Sequence, residues 1–191
     1  MDMILTGKED LRIVKTIEAI KSAFESLICE KYYEKITVKE LCDRAKINKK
    51  TFYHYYETLD MLLAEMQAEL SEGYLERVKD YALPDDLDKV NREFFLYATE
   101  QGLAYEKITC GGSYHAIRDE MTNKVTDSAW SRSKKYQKLS DYEKKVLMGF
   151  INNAVLNAYR EWVQDGKTIP IDEVIDLTNK LVLGGVKGFF K

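Results

Sequence analysis

Apolar residues recur every three or four positions along most of the chain, which is the spacing of amphipathic helices. A first helix is predicted over residues 9–30. Two short helices, Val38–Ala45 and Lys49–Tyr55, come next, and a longer helix is predicted from residue 59 to about residue 81. Pro84 prevents further extension, because proline has no amide hydrogen to donate and its ring clashes with the preceding turn.

The second half of the chain has the same helical spacing between clear breaks. Residues 88–110 are expected to form one helix or two, because Gly102 lies between two apolar segments, and Gly111 and Gly112 form a strong break. Three further helices are predicted over residues 113–136, 140–164 and 171–190. Only two prolines and ten glycines are present, so the sequence favours an all-α fold of about nine helices.

The stretch over residues 34–63 has the features of a helix-turn-helix. Thr37 and Glu40 have the spacing of a capping box, and Asn48 is placed to cap the second short helix. That second helix has only Phe52 as a core anchor, with Tyr56 four residues later. Its other side chains are basic, polar or hydroxylated. Insertion into the major groove of DNA explains why such a helix would be held rigidly.

The pattern IxVxELCxxAxINKxTFYxYY resembles the DNA-binding motif of the TetR family of transcriptional regulators. The positions with the same or a similar residue are Thr37, Ala45, Ile47, Asn48, Thr51, Phe52, Tyr53, Tyr55, Tyr56, Thr58 and Leu62. Two positions depart from the family pattern. The usual turn glycine is Lys46, where a left-handed backbone would be strained. The usual lysine at the start of the next helix is Leu59, so we expect one family phosphate contact to be missing.

The resemblance implies an all-α protein with an N-terminal three-helix helix-turn-helix DNA-binding domain (residues 1–58) and a C-terminal helical ligand-binding and dimerisation domain (residues 59–191). It also implies a cytoplasmic homodimer that represses transcription from double-stranded operator DNA and is released by a small-molecule effector. Some family members respond to a protein partner instead, and that alternative stays open.

The expected DNA contacts lie on the second short helix and at the two helix N-termini. They are Thr37, Asn48, Lys49, Lys50, Thr51, Tyr53, His54 and Tyr55. Lysine and threonine are expected to reach bases or phosphates, and tyrosine to reach phosphates. Thr37 is expected to aid phosphate contact at the start of its helix.

Two further sets of residues are predicted in the C-terminal domain. The expected effector pocket is lined by Phe94, Tyr105, Cys110, Met121, Trp130 and Phe150, which favours an apolar or aromatic small molecule. Residues with this spacing are also typical of plain core packing. The expected dimer interface uses the last two long helices, with Phe150, Ala154, Ala158, Leu181 and Gly185 as candidate contacts.

Charge and composition permit this interpretation and exclude others. The net charge is −3, but residues 1–57 hold eleven Lys and Arg against ten Asp and Glu, with Lys46, Lys49 and Lys50 clustered at the motif. No nucleophile–base arrangement, phosphate-binding loop or metal-ligand spacing is present, so we expect no enzyme activity, no cofactor and no metal. No apolar run approaches the roughly 20 residues that span a bilayer, and we expect no signal peptide. The three cysteines are interpreted as reduced thiols.

Overall fold

The computed structural model of the protein describes residues 11–111 and 129–190, and every element within these ranges is helical. The α-helices are α1 (Leu11–Glu30), α2 (Val38–Ala45), α3 (Lys49–Tyr55), α4 (Leu59–Val78), α5 (Leu87–Glu100), α6 (Gly102–Cys110), α7 (Lys134–Gln137), α8 (Asp141–Gln164) and α9 (Ile171–Val186). A short 3₁₀ helix, Tyr33–Lys35, lies between α1 and α2. The all-α prediction is confirmed.

The chain divides into two compact units. Unit 1 is Met1–Gln67 and unit 2 is Ala68–Lys191, so the division lies inside α4. The predicted domain boundary, between residues 58 and 59, lies at the start of the same helix and stays a prediction. Within the described ranges, no helix is both long and apolar enough to cross a bilayer.

Unit 1 is built by packing α1 on α2 and α2 on α3. The apolar face of α1 is buried, with Phe24 and Ile20 fully enclosed. A polar bridge also joins the first two helices. The Arg44 guanidinium donates to both carboxylate oxygens of Glu30, at 2.6 and 2.7 Å, and to Ser26 Oγ at 2.7 Å. This two-point contact fixes the orientation of α2 on α1.

Unit 2 is organised around the pair formed by α8 and α9, with α5 packed on α9 and α6 packed on α8. Tyr159 of α8 is fully buried at the centre of the core, and Leu147 and Val182 lie in the same core. The helix α8 begins with the predicted capping box, in which Ser140 Oγ accepts from the Glu143 amide at 3.3 Å. The break at Gly102 is also confirmed, because this glycine has a φ of 80° and separates α5 from α6.

One predicted helix is wrong in its C-terminal part. The helix expected over residues 113–136 lies mostly outside the described residues, but its end is seen. Ala129 and Trp130 are helical, the chain then turns, and α7 begins anew after Ser133. The Ser133 hydroxyl accepts from the Tyr136 amide at 3.3 Å. This local cap starts a second helix in place of continuing the first.

Candidate nucleic-acid interface

A reciprocal cap fixes the N-terminus of α2. Thr37 Oγ1 accepts from the Glu40 amide at 3.2 Å, and Glu40 Oε2 accepts from the Thr37 amide at 3.2 Å. Lys31 Nζ lies 2.7 Å from Glu40 Oε1. Hydrogen bonds from Lys31 and Thr37 lower the pKa of the Glu40 carboxyl. The predicted capping box is therefore confirmed, and Thr37 lies exposed at the helix N-terminus.

The chain turns between α2 and α3 at Lys46, which has φ 55° and ψ 41°. The Lys46 amide donates back to the Cys42 carbonyl, and the Ile47 amide donates to the same oxygen at 3.0 Å. These bonds give the Cys42 carbonyl at the end of α2 its hydrogen-bond donors, and the left-handed residue caps the helix. The strained turn predicted at Lys46 is confirmed.

The helix α3 is capped at its start and anchored in the core. Asn48 Oδ1 accepts from the Thr51 amide at 2.8 Å and lies 3.1 Å from Thr51 Oγ1. Phe52 and Tyr56 are buried, and the Tyr56 hydroxyl donates to Glu65 of α4 at 2.9 Å. A helix of seven residues would not persist alone, so these contacts are what hold it in one orientation.

The remaining surface of α3 is open to solvent. Lys49, Lys50, Tyr53 and His54 are exposed, while Thr51 and Tyr55 are half-buried. Within the described ranges, neither lysine ammonium of α3 has an ion-pair or hydrogen-bond partner. The His54 and Tyr55 rings contact edge-to-face at 4.9 Å. Basic, hydroxyl and imidazole groups are thus gathered on one short, rigid helix.

Of the eight predicted contact residues, six lie on α3, while Asn48 caps α3 and Thr37 caps α2. Two have structural roles as well: the side-chain oxygens of Thr37 and Asn48 already accept hydrogen bonds from the backbone. Asn48 therefore has only its amide NH₂ group left to donate to a ligand. The DNA contacts themselves stay a prediction.

The two tyrosines of the link after α1 differ in how they pack beneath the helix-turn-helix. Tyr32 does not pack there, since it is 74% exposed. Tyr33 does pack there, with its ring edge-on to Phe24 at 6.3 Å, and its hydroxyl donates to Asp60 at the start of α4. The sequence alone contains no signal for this pairing between residues 27 positions apart.

The predicted effector-pocket residues do not all lie in the same part of unit 2. Met121 lies outside the described residues. Phe94, Tyr105 and Cys110 are half-buried against the core of unit 2, and Trp130 is buried in that core. Phe150 differs, since it is 44% exposed and is not part of this core. Its ring lies against Gly185, on the outside of α8, so we correct its assignment as a lining residue.

An aromatic cluster surrounds Phe94 in unit 2. The Phe94 ring has centroid distances of 6.2 Å to Tyr74, 5.5 Å to Phe95 and 5.9 Å to Tyr159. Burial raises the pKa of Tyr74 and of Tyr159, and it raises the pKa of nearby Tyr105 to about 12. A phenol is neutral near pH 7 even at its ordinary pKa, so the cluster carries no charge and is built mainly of aromatic rings.

A separate cleft of about 360 Å³ lies where the turn after α4 meets α7. It is lined by charged side chains that include Lys79, Asp85, Arg132 and Lys135. Lys135 forms an ion pair with Asp85 at 2.8 Å, and Arg132 donates to the Lys79 carbonyl. Of the predicted pocket residues that the structure describes, none lines this cleft.

Exposed apolar side chains run along α8 and α9. We call the surface formed by Val146, Phe150, Leu177, Leu181 and Gly185 the outer face; its four side chains are exposed at helical spacing, and Phe150 packs on Gly185. Of the residues predicted for the dimer interface, Phe150, Leu181 and Gly185 belong to it, while Ala154 and Ala158 are half-buried nearer the core. Several exposed apolar side chains on two helices that pack together are typical of a protein–protein interface.

Solved structures with the same arrangement of helices are transcriptional regulators. One is a TetR transcriptional regulator from Streptococcus agalactiae 2603V, with a TM-score of 0.65 at 20% identity over 90% of this chain and 95% of that chain. FadR from Bacillus subtilis, solved in complex with stearoyl-CoA, has a TM-score of 0.67 at 16% identity over 88% and 98% of the two chains. AibR, solved with isovaleryl coenzyme A and operator DNA, has a TM-score of 0.60 at 20% identity over 86% and 97%.

These similarities concern the fold. The described helices define a helix-turn-helix protein with a second, helical unit. More specifically, the chain has the fold of the TetR-family transcriptional regulators, as its resemblance to that family implied. No protein-family model and no curated protein matches the chain.

Proposed function

We propose that the protein is a sequence-specific DNA-binding regulator of the TetR type that represses transcription in the cytoplasm. The observation that carries this proposal is α3, a helix capped by Asn48 and anchored by Phe52. It presents Lys49 and Lys50 with no intramolecular partner among the described residues. Such a helix fits the major groove, where lysine can donate to guanine edges. AibR, which shares the fold, was solved with operator DNA.

The DNA-binding proposal is tested by selecting duplexes from a random-sequence library with the wild-type protein. We then compare binding of the selected duplex by wild type and by a variant with Lys49, Lys50, Thr51, Tyr53 and His54 all changed to Ala. Because Phe52 and Tyr56 keep the helix anchored, the variant should retain its circular dichroism and lose specific binding. A folded variant that still binds the selected duplex would refute the assignment of α3.

We also propose that the protein acts as a homodimer joined through the outer face. A monomer leaves these apolar side chains in water, whereas two copies bury them in a four-helix interface. A dimer also presents two recognition helices, and two-fold operators place half-sites about 34–36 Å apart, one turn of DNA. Each protomer binds one half-site weakly, and the dimer binds a palindromic operator tightly because both half-sites are bound at once.

The dimer is tested by changing Leu181 to Glu, because this side chain is 71% exposed and the substitution disturbs no core contact of its own subunit. Leu103→Glu is the matched control, since Leu103 is 54% exposed and lies on α6, which contributes no residue to the outer face. Sedimentation should show monomers for Leu181→Glu and dimers for the control, and only Leu181→Glu should lose operator binding. Equal sedimentation of the two variants would remove the outer face as the interface.

A small apolar or aromatic effector is the proposed signal for release of the operator. The support is the neutral aromatic cluster around Phe94, which offers an apolar environment beside α5, α6 and α8. FadR and AibR, with the same fold, were solved with acyl-CoA ligands. An effector that releases DNA must bind the non-binding conformation more tightly, because equal affinity for both shifts nothing.

The test is a screen of aromatic acids and acyl-CoA thioesters, with Trp130 emission as the binding signal. Trp130 is buried and its ring stacks on Phe190 at 6.1 Å, so a change in this core should alter its fluorescence. A true effector weakens operator binding by the same factor by which the operator weakens effector binding. If no compound does both while a protein partner releases the operator, control by a partner replaces this proposal.

A further inference from the structure

Two residues other than glycine have a left-handed backbone in the described ranges, and both are lysines. They are Lys46, with a φ of 55°, and Lys167, with a φ of 58°. Each follows the C-terminal end of a helix, α2 and α8 respectively. A residue with a Cβ is strained in this conformation, and glycine is the residue that adopts it without cost. Both positions therefore raise the question of what the lysine side chain contributes.

Lys167 is explained by its contacts within unit 2. Its ammonium forms an ion pair with Glu106 of α6 and lies 5.5 Å from the centroid of the Trp162 ring. The side chain thus joins the end of α8 to another helix. The strain at Lys167 is offset inside the fold.

Lys46 has no such explanation. Its side chain is exposed and makes no ion pair, hydrogen bond or ring contact with any described residue. A positive charge near the end of α2 does interact favourably with the helix dipole, but Arg44 already lies in that last turn, and the effect at an exposed site is small and screened by salt. Backbone strain that no intramolecular contact offsets is typical of a functional position.

The location of Lys46 suggests which ligand its charge serves. It lies in the turn that leads into α3, two residues before the Asn48 cap and three before Lys49. A flexible ammonium at the margin of a recognition helix suits a phosphate oxygen, because lysine acts as a mobile point charge without the planar geometry that reads a base. We propose that Lys46 is a further contact of this chain to the DNA backbone, independent of base sequence. This inference rests on the proposed DNA-binding function.

The test measures non-specific binding to a 30-bp duplex of arbitrary sequence by fluorescence anisotropy, between 50 and 200 mM NaCl. The variants are Lys46→Gly, Lys46→Asn and Lys46→Arg, with Lys167→Gly as the matched control at the other left-handed lysine. Glycine and asparagine both tolerate the left-handed turn, so these variants should fold. Loss of one phosphate contact per bound protomer should reduce the slope of log K against log salt by about 0.9 per protomer.

The inference predicts the reduced slope for Lys46→Gly and Lys46→Asn, and a wild-type slope for Lys46→Arg and Lys167→Gly. Lys46→Gly should also raise the melting temperature by about 2–4 °C, because the strain is relieved. If both neutral variants keep the wild-type slope and affinity, Lys46 does not contact phosphate. If wild type itself shows no salt-dependent binding to any duplex, the proposed DNA-binding function fails instead.

Discussion

The contact between Tyr97 of α5 and Gly73 of α4 predicts that a larger residue at position 73 lowers the free energy of unfolding. The Tyr97 hydroxyl donates to the Leu70 carbonyl at 2.8 Å, and the Arg77 guanidinium lies 4.9 Å from the centre of the same ring. A Cβ atom added at Gly73 would lie 2.5 Å from Tyr97 Oη and 3.3 Å from Cζ. The hydroxyl therefore occupies the space that any larger residue at position 73 needs.

Two opposing effects decide the outcome of Gly73→Ala. Alanine in a helix interior is favoured over glycine by about 1 kcal/mol. Against this, displacing the hydroxyl costs its hydrogen bond, about 1 kcal/mol, and overpacking costs about 1–3 kcal/mol. The net result should be a destabilisation of about 1–3 kcal/mol. In a Tyr97→Phe background the oxygen is gone, so the same Gly73→Ala change should cost less than about 1 kcal/mol or be stabilising.

Urea denaturation of wild type, the two single variants and the double variant measures this coupling, with all four at one protein concentration because dimers gain stability by mass action. The expected result is that Tyr97→Phe rescues Gly73→Ala. Stabilisation by Gly73→Ala in the wild-type background would show that Tyr97 does not pack on α4 as described.

Three further predictions concern unit 1. Replacing Asn48 by Ala should lower the free energy of unfolding by about 1 kcal/mol in urea titrations, since the Thr51 amide loses its acceptor, whereas Asn48→Asp should keep stability and weaken DNA binding; equal stability of the Ala variant and wild type would refute the cap. Arg44 lowers the pKa of Glu30 below its ordinary 4.5. The pair therefore stabilises the protein above about pH 4.5, and this stability is lost as pH falls through the lowered pKa. The stability advantage of wild type over Glu30→Gln should accordingly shrink on acidification, and an advantage that is constant with pH would exclude the ion pair. Burial raises the pKa of the Cys42 thiol, so a thiol reagent should modify it only on unfolding, after the two half-buried cysteines have reacted; equal rates for all three would contradict its burial.

The helix-turn-helix could be predicted from the sequence because its signals are local. The Thr37–Glu40 capping box and the Asn48 cap each act within three residues, and Phe52 and Tyr56 follow helical spacing. These short-range preferences agree with the tertiary packing, so the predicted bounds of α2 and α3 match the observed ones.

Other features could not be predicted, because the local spacing of residues is compatible with more than one arrangement. Ser133 can lie within a helix or cap a new one, and only its bond to the Tyr136 amide shows which. Phe150 follows Leu147 by three residues, so helical periodicity groups it with the core positions, and only the structure shows that its side chain is 44% exposed. The pairing of Tyr33 with Asp60 requires α4 to be already in place.

Methylation interference at guanine N7 of the selected operator tests directly whether α3 reads DNA in the major groove. Guanine N7 lies in the major groove, so methylation there blocks a helix that reads base edges. We expect interference in two symmetric half-sites about one helical turn apart, and loss of a defined guanine position in each half-site when Lys49 is changed to Ala. Binding that tolerates every major-groove methylation, or an interference pattern unchanged by substitutions in α3, would contradict the claim that α3 reads DNA.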